Sequence, residues 1–152
     1  MPVHRIHLKG PWEYEFVAVP RSDGGVSRDA SAAVSKSGRV TMPADWRSLF
    51  GSLAGRATFR RRFHKPTNLD PEERVWIAFD GLNGHANVQL NGQDLGTLSG
   101  TSSGRLDVTG ALQPFNELTV ELDYDDRRDG SPGGLYAPVA IEIESPDRPS
   151  EL

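Results

Sequence analysis

Arg74-Val75-Trp76-Ile77-Ala78-Phe79-Asp80 is the stretch whose reading decides the fold. Val75, Ile77 and Phe79 alternate with Trp76 and Ala78. A period of two turns the first three toward a core and the other two outward, as in a half-buried strand. Gly81-Leu82-Asn83-Gly84-His85 interrupts the pattern, and Ala86, Val88 and Leu90 resume it. Asn91-Gly92 then supplies the two positive-φ positions of a type I′ hairpin turn, with Leu95 on the returning strand. Downstream, Leu106 to Thr109, then Leu118, Val120 and Leu122, then Val139, Ile141 and Ile143 read the same way. Upstream, Phe59, Arg61 and Phe63 share one face, and Trp12, Tyr14 and Phe16 alternate with Glu13 and Glu15. Val40 and Met42 before Pro43 form a short edge segment. Helical spacing occurs once, at Trp46, Leu49, Phe50 and Leu53, and predicts at most two turns. Residues 20–38 read as a mobile loop or a weak hairpin arm, and 145–152 as a frayed tail. The whole is an all-β chain of about eight short strands: a two-sheet antiparallel β-sandwich or jelly roll. A single domain is expected over 1–152, with its core between 8 and 143.

Composition agrees. A length of 152 residues suits one domain, and 16 Gly with 11 Pro suit many tight turns rather than a helix bundle. A (β/α)₈ barrel needs roughly 250 residues. With no cysteine, disulfides, zinc-thiolate sites and thiol nucleophiles are excluded. A net charge of −4 argues against nucleic acid, and no apolar run reaches the ~20 residues of a membrane span. The opening Met1-Pro2-Val3-His4-Arg5-Ile6-His7 holds no apolar stretch, so the chain as written is expected in the cytoplasm. His4 and His7 fall near a terminus read as mobile. No phosphate loop or metal-ligand spacing appears, and no cofactor is expected.

Five segments in order resemble the sugar-binding domain of glycoside hydrolase family 2, the β-galactosidase, β-glucuronidase and β-mannosidase group. They are Gly55…Phe59-Arg60-Arg61-Arg62-Phe63-His64-Lys65-Pro66; Arg74 to Ala86; Val88-Gln89-Leu90-Asn91-Gly92…Leu95-Gly96; Leu106-Asp107-Val108-Thr109…Leu112…Asn116-Glu117-Leu118-Thr119-Val120; and Gly133-Gly134-Leu135…Val139-Ala140-Ile141. Leu8…Gly10…Trp12 and Val40…Pro43…Trp46 fit the start. The resemblance implies a galactose-binding-like jelly roll. Phe115 stands where the motif usually has Gly. The resemblance also implies that catalysis in such enzymes belongs to two Glu residues on a barrel, about 5–5.5 Å apart in a retaining mechanism. That barrel is missing here, and Glu13/Glu15 and Glu142/Glu144 read as solvent faces of strands. The expectation is a non-catalytic module.

Strand parity brings loops 43–56, 81–85, 98–104 and 123–135 to one rim. Sugar recognition combines flat rings with forked polar side chains, and the rim offers Asp45, Arg47, Asn83, His85, Asp125, Asp126, Arg127, Arg128 and Tyr136 as candidates. Each has a plainer reading: Asn83-Gly84 as a turn, His85 as a strand-end residue, 125–129 as a solvated charged loop, Tyr136 as packing. Trp12 and Trp46 read as core plugs. Trp76 points outward, toward a protein partner, a second copy, a ligand or a covering loop. Arg61 points inward and calls for a carboxylate, Asp107 or Asp80. Two functions fit: a module binding a glycan through the rim, or a protein-interaction module, including the accessory piece of a split glycosidase, with no sugar binding of its own.

Overall fold

The structure is a computed structural model describing residues 3–18, 35–51, 54–67, 69–99, 103–124 and 133–145. Among the described residues, ten strands and one short helix follow in chain order: β1 (Val3–His7), β2 (Trp12–Ala18), β3 (Ser35–Val40), α1 (Trp46–Phe50), β4 (Gly55–His64), β5 (Arg74–Phe79), β6 (His85–Leu90), β7 (Gln93–Ser99), β8 (Gly104–Asp107), β9 (Phe115–Tyr124) and β10 (Val139–Glu144). They form a four-stranded sheet, β1-β10-β5-β8, and a six-stranded sheet, β3-β2-β4-β9-β6-β7, with every pairing antiparallel. The architecture is the expected two-sheet sandwich, with ten strands rather than about eight.

The added strands are β1 and β3. Every residue of Val3–His7 is exposed, and Ser35-Lys36-Ser37-Gly38-Arg39 is exposed as well. Neither carries an apolar alternation because each is a sheet edge held by its neighbour's backbone. So His4 and His7 belong to a strand rather than a mobile terminus, and of the segment read as a mobile loop or weak hairpin arm, 35–38 belong to β3, an arm that pairs with β2. The remainder of that loop and residues 146–152 of the tail lie outside the described residues.

The inward sets pack as one core. Val75, Ile77 and Phe79 of one sheet face Phe59, Val88, Leu90, Leu118, Val120 and Leu122 of the other, and all are buried. Trp12 and Trp46 are buried plugs, and the Trp12 indole N–H donates to the Leu8 carbonyl at 2.7 Å. Asn91 and Gly92 have φ of 53° and 81°, as a type I′ turn demands. The outer faces are charged ladders. On the larger sheet Arg60 meets Glu15 at 2.7 Å and Arg56 meets Asp123 at 2.7 Å. On the smaller sheet Glu142 takes Arg5 at 3.1 Å and Arg105 at 3.6 Å. The Glu13/Glu15 and Glu142/Glu144 pairs are therefore polar strand faces.

Candidate functional site

α1 exists because Trp46 and Phe50 fall one turn apart and share an apolar face. Phe16 of β2 stacks on Phe50 at 4.1 Å and meets Trp46 edge-on at 5.5 Å. Asp45 precedes the helix in extended conformation, and its carboxylate accepts a hydrogen bond from Ser48 Oγ rather than from a backbone N–H. Gly51 closes the helix with φ 64°.

From this anchor the rim assembles. The Trp46 amide donates to the Gly133 carbonyl at 2.9 Å, and the Ala44 amide to the Leu135 carbonyl at 3.0 Å. Asn83 and Gly134 exchange both backbone hydrogen bonds, at 3.0 and 2.9 Å. Trp46 also packs on Tyr124, the end of β9, at 5.1 Å. A Cβ on Gly81 would lie 2.7 Å from the Tyr136 hydroxyl, so the phenol seats directly on bare backbone there. His85 opens β6 opposite Asp123 and Ser99. Segments around 44–47, 81–85, 124 and 133–136 thus meet at one end of the sandwich.

The sequence candidates divide as follows. Arg47 and His85 are exposed on this rim, while Asp45, Asn83 and Tyr136 are half-buried beside them. Asp45 is engaged by Ser48, Asn83 by the backbone bridge to Gly134, and Tyr136 by the seat on Gly81. Asp125, Asp126 and Arg128 lie outside the described residues, as do Arg127 and Asp129. Among the described residues no three acidic or histidine side chains cluster as a metal site, and no helix is long and apolar enough to cross a membrane.

Trp76 is half-buried, and the Arg105 guanidinium lies 3.9 Å from its ring centroid. What covers this Trp is a cation from the adjacent strand. Ala78, expected outward, is buried too.

Arg61 is corrected more sharply. It does share the inward face with Phe59 and Phe63, but neither expected carboxylate reaches it. Asp107 pairs with Arg74 at 2.7 Å, and Asp80 with Arg5 at 2.9 Å. Register explains this: Asp107 and Asp80 belong to the four-stranded sheet and its rim, while Arg61 lies on β4 opposite Leu118 in the other sheet. Its Nη1 donates to the Arg62 carbonyl, its Nε is buried with no hydrogen-bond partner among the described residues, and burial pulls the guanidinium below its usual pKa.

Arg61 leads to a feature that sequence reasoning missed. At the end of the larger sheet opposite the rim, an open groove of about 500 Å³ runs past Arg61, Arg62, His64, Asn91, Phe115 and Glu117. Phe115 is 73% exposed, and His64 meets its ring edge-on at 5.0 Å. Asn116 anchors the floor. It is buried, accepts from the Gln113 amide at 2.9 Å and from Asn91 Nδ2 at 3.0 Å, and donates to the Gln113 carbonyl at 2.7 Å. Phe115, where a Gly was expected, was the available signal.

With this geometry in place, the chain can be set beside known proteins. Residues 53–130 match the family described as glycosyl hydrolase 2 galactose-binding domain-like. Beta-mannosidase B of Emericella nidulans is 38% identical over 69 residues, 45% of this chain and 8% of that protein. Among solved structures, the FMN-binding beta-glucuronidase of Faecalibacterium prausnitzii L2-6 superposes with a TM-score of 0.70 at 24% identity, over 94% of this chain and 23% of that one. A beta-glycosidase of Bacteroides vulgatus gives 0.65 at 23%, over 94% and 20%. A rhamnosidase of Novosphingobium sp. PP1Y gives 0.67 at 19%, over 95% and 15%. The chain therefore spans less than a quarter of each of these proteins, and at these identities the solved structures establish the shared fold alone.

Proposed function

The chain belongs to the glycosyl hydrolase 2 galactose-binding domain-like family, and from that premise we propose that it is a non-catalytic module that binds a glycan through the loop rim. The observation that carries the reading is the meeting of segments 44–47, 81–85, 124 and 133–136 at one end, held by the Asn83–Gly134 bridge and the Trp46–Gly133 hydrogen bond. A rim fixed by backbone bonds presents Arg47, Asn83, His85 and Tyr136 in a preorganised set, which lowers the ordering cost of binding. Aromatic and amide groups supply the stacking and hydroxyl recognition that a pyranose requires. The described strands and helix form a sandwich with no (β/α)₈ barrel, so the Glu pair of a retaining glycosidase has no scaffold among them.

The second reading is a docking module that packs against another polypeptide, such as the remainder of a split glycosidase. It is favoured by the chain covering only 15–23% of the solved proteins whose fold it shares. A glycan array probed with the wild type and with an Arg47→Ala/His85→Ala double variant separates the two. Both side chains are exposed, so the variant keeps the fold. Glycan binding at the rim predicts a defined set of positive glycans and a loss of at least tenfold in the variant. A blank array for the wild type, or an undiminished variant, would remove the rim from consideration.

A further inference from the structure

At the end of the larger sheet opposite the rim, four side chains share the outer face. Register puts them there. β4 and β9 pair His64 with Phe115 and Arg62 with Glu117, while the buried Phe63, Asn116 and Leu118 between these positions turn the other way. β2 stops pairing with β4 at Glu13–Arg60, so no strand flanks Arg62 and His64 on their far side. Phe115 is 73% exposed, and His64 meets it edge-on at 5.0 Å. At that exposure at least one flat face of the ring is open to solvent. A ring so exposed returns little burial energy to the fold.

Glu117 stands two residues along the same strand from Phe115, and Arg62 stands on the diagonal across the strand pair, both roughly 7–8 Å away. The two ions are 3.5 Å apart, against 2.7 Å for Arg60 and Glu15 on the same face. A charge-assisted bond normally spans about 2.7–2.9 Å. Each ion is therefore loosely held and turns to a third group at little cost. Their charges cancel, so an anion would meet the carboxylate and a cation the guanidinium. A pair of sugar hydroxyls suits both: one oxygen accepts from Arg62 while its neighbour donates to Glu117. We propose that this patch is a second binding site, separate from the rim, for a neutral pyranose, with the apolar C–H face of the sugar on Phe115 and two adjacent hydroxyls on Arg62 and Glu117. The site does not depend on binding at the rim. One ring and one ion pair make it weak, with half-saturation on the order of 10 mM. Phe115 opens β9 and Tyr124, at the rim, closes it about 30 Å away. A short sugar cannot touch both ends, but a polymer can, and the second contact then adds avidity.

Residue-resolved NMR titration of the whole chain with the methyl glycosides of glucose, galactose and mannose tests it, with sorbitol as the control and each carried to about 100 mM, roughly ten times the expected half-saturation. The expected result is saturable shifts at the amides of 62–64 and 115–117 with at least one glycoside. Sorbitol has the hydroxyls without the flat ring and should give none there. Arg47→Ala/His85→Ala should leave these shifts unchanged, which separates this site from the rim. Phe115→Ala, at an exposed position, should weaken binding by up to about tenfold, and Glu117→Ala by a similar factor. Absence of shifts in this set with all three glycosides, equal shifts with sorbitol, or undiminished binding by Phe115→Ala would each overturn the proposal. So would shifts of the same amides on concentrating the protein without sugar, which would assign Phe115 to a second copy of the chain.

Discussion

Asp107 shows how one side chain ties two strands together. Burial works against its charge, but the Thr109 hydroxyl at 2.6 Å, the Thr109 amide at 2.9 Å and Arg74 at 2.7 Å outweigh it. Its carboxyl is held below the usual carboxylate range. A folded pKa below the unfolded one means that the charged form stabilises the fold. The contribution is complete above the unfolded value near 3.8 and is lost as pH falls through the lowered folded value. Asp107→Asn should therefore be less stable than the wild type at pH 7, and the gap should narrow below pH 4, as read by urea denaturation at both pH values. A gap independent of pH would mean that the charge of Asp107 is not what matters. At this scale the sequence was half legible. The inward turn of Arg61 follows from parity within one strand. Its lack of a carboxylate does not, because a partner depends on which strands become neighbours. Asp107 and Asp80 were taken by Arg74 and Arg5, the first through the β5–β8 pairing and the second through the β1-β10-β5 order, which brings Arg5 to the end of β5.

Elements with an apolar alternation were readable from the sequence alone: β2, β5, β6, β9 and β10 each bury one face. β1 was not, and β3 was legible only as a weak arm ending in an edge segment at Val40, since an exposed edge strand draws its order from the neighbouring backbone and leaves no period of two behind. α1 was visible because Trp46 and Phe50 repeat at helical spacing, but its importance comes from contacts far along the chain. Trp46 touches Phe16, Phe50 and Tyr124, and its amide holds Gly133. Trp46→Ala removes one of the largest fully buried side chains and should cost about 3–5 kcal/mol in urea denaturation. Because the same residue clamps the rim, hydrogen exchange at the Asn83 and Gly134 amides should accelerate in this variant more than exchange within β6 and β9. Equal acceleration everywhere would mean that α1 stabilises the core without organising the rim.

On the scale of the whole molecule, two sheets of unequal size produce two unlike ends. At one, backbone bonds draw segments 44–46, 83 and 133–135 together into a polar rim beside Tyr124 of β9. At the other, the longer β4 and β9 run beyond β2 and leave a groove with an exposed aromatic ring and a guanidinium. The first was foreseeable by counting strand directions, because parity needs only the order of strands. The second was not, since where one strand stops beside another is a property of register. Both sheets turn charged ladders outward, and Trp76 lies under Arg105 within one of them. The central claim is that the polar rim recognises a glycan. Titration calorimetry of the wild-type chain against galactosides, mannosides, glucuronides and xylan or pectin fragments tests it most directly. The account predicts saturable heat with one-to-one stoichiometry for one class and a loss of that heat on Arg47→Ala/His85→Ala. No heat for any class up to millimolar ligand, or heat that survives the double substitution unchanged, would contradict it.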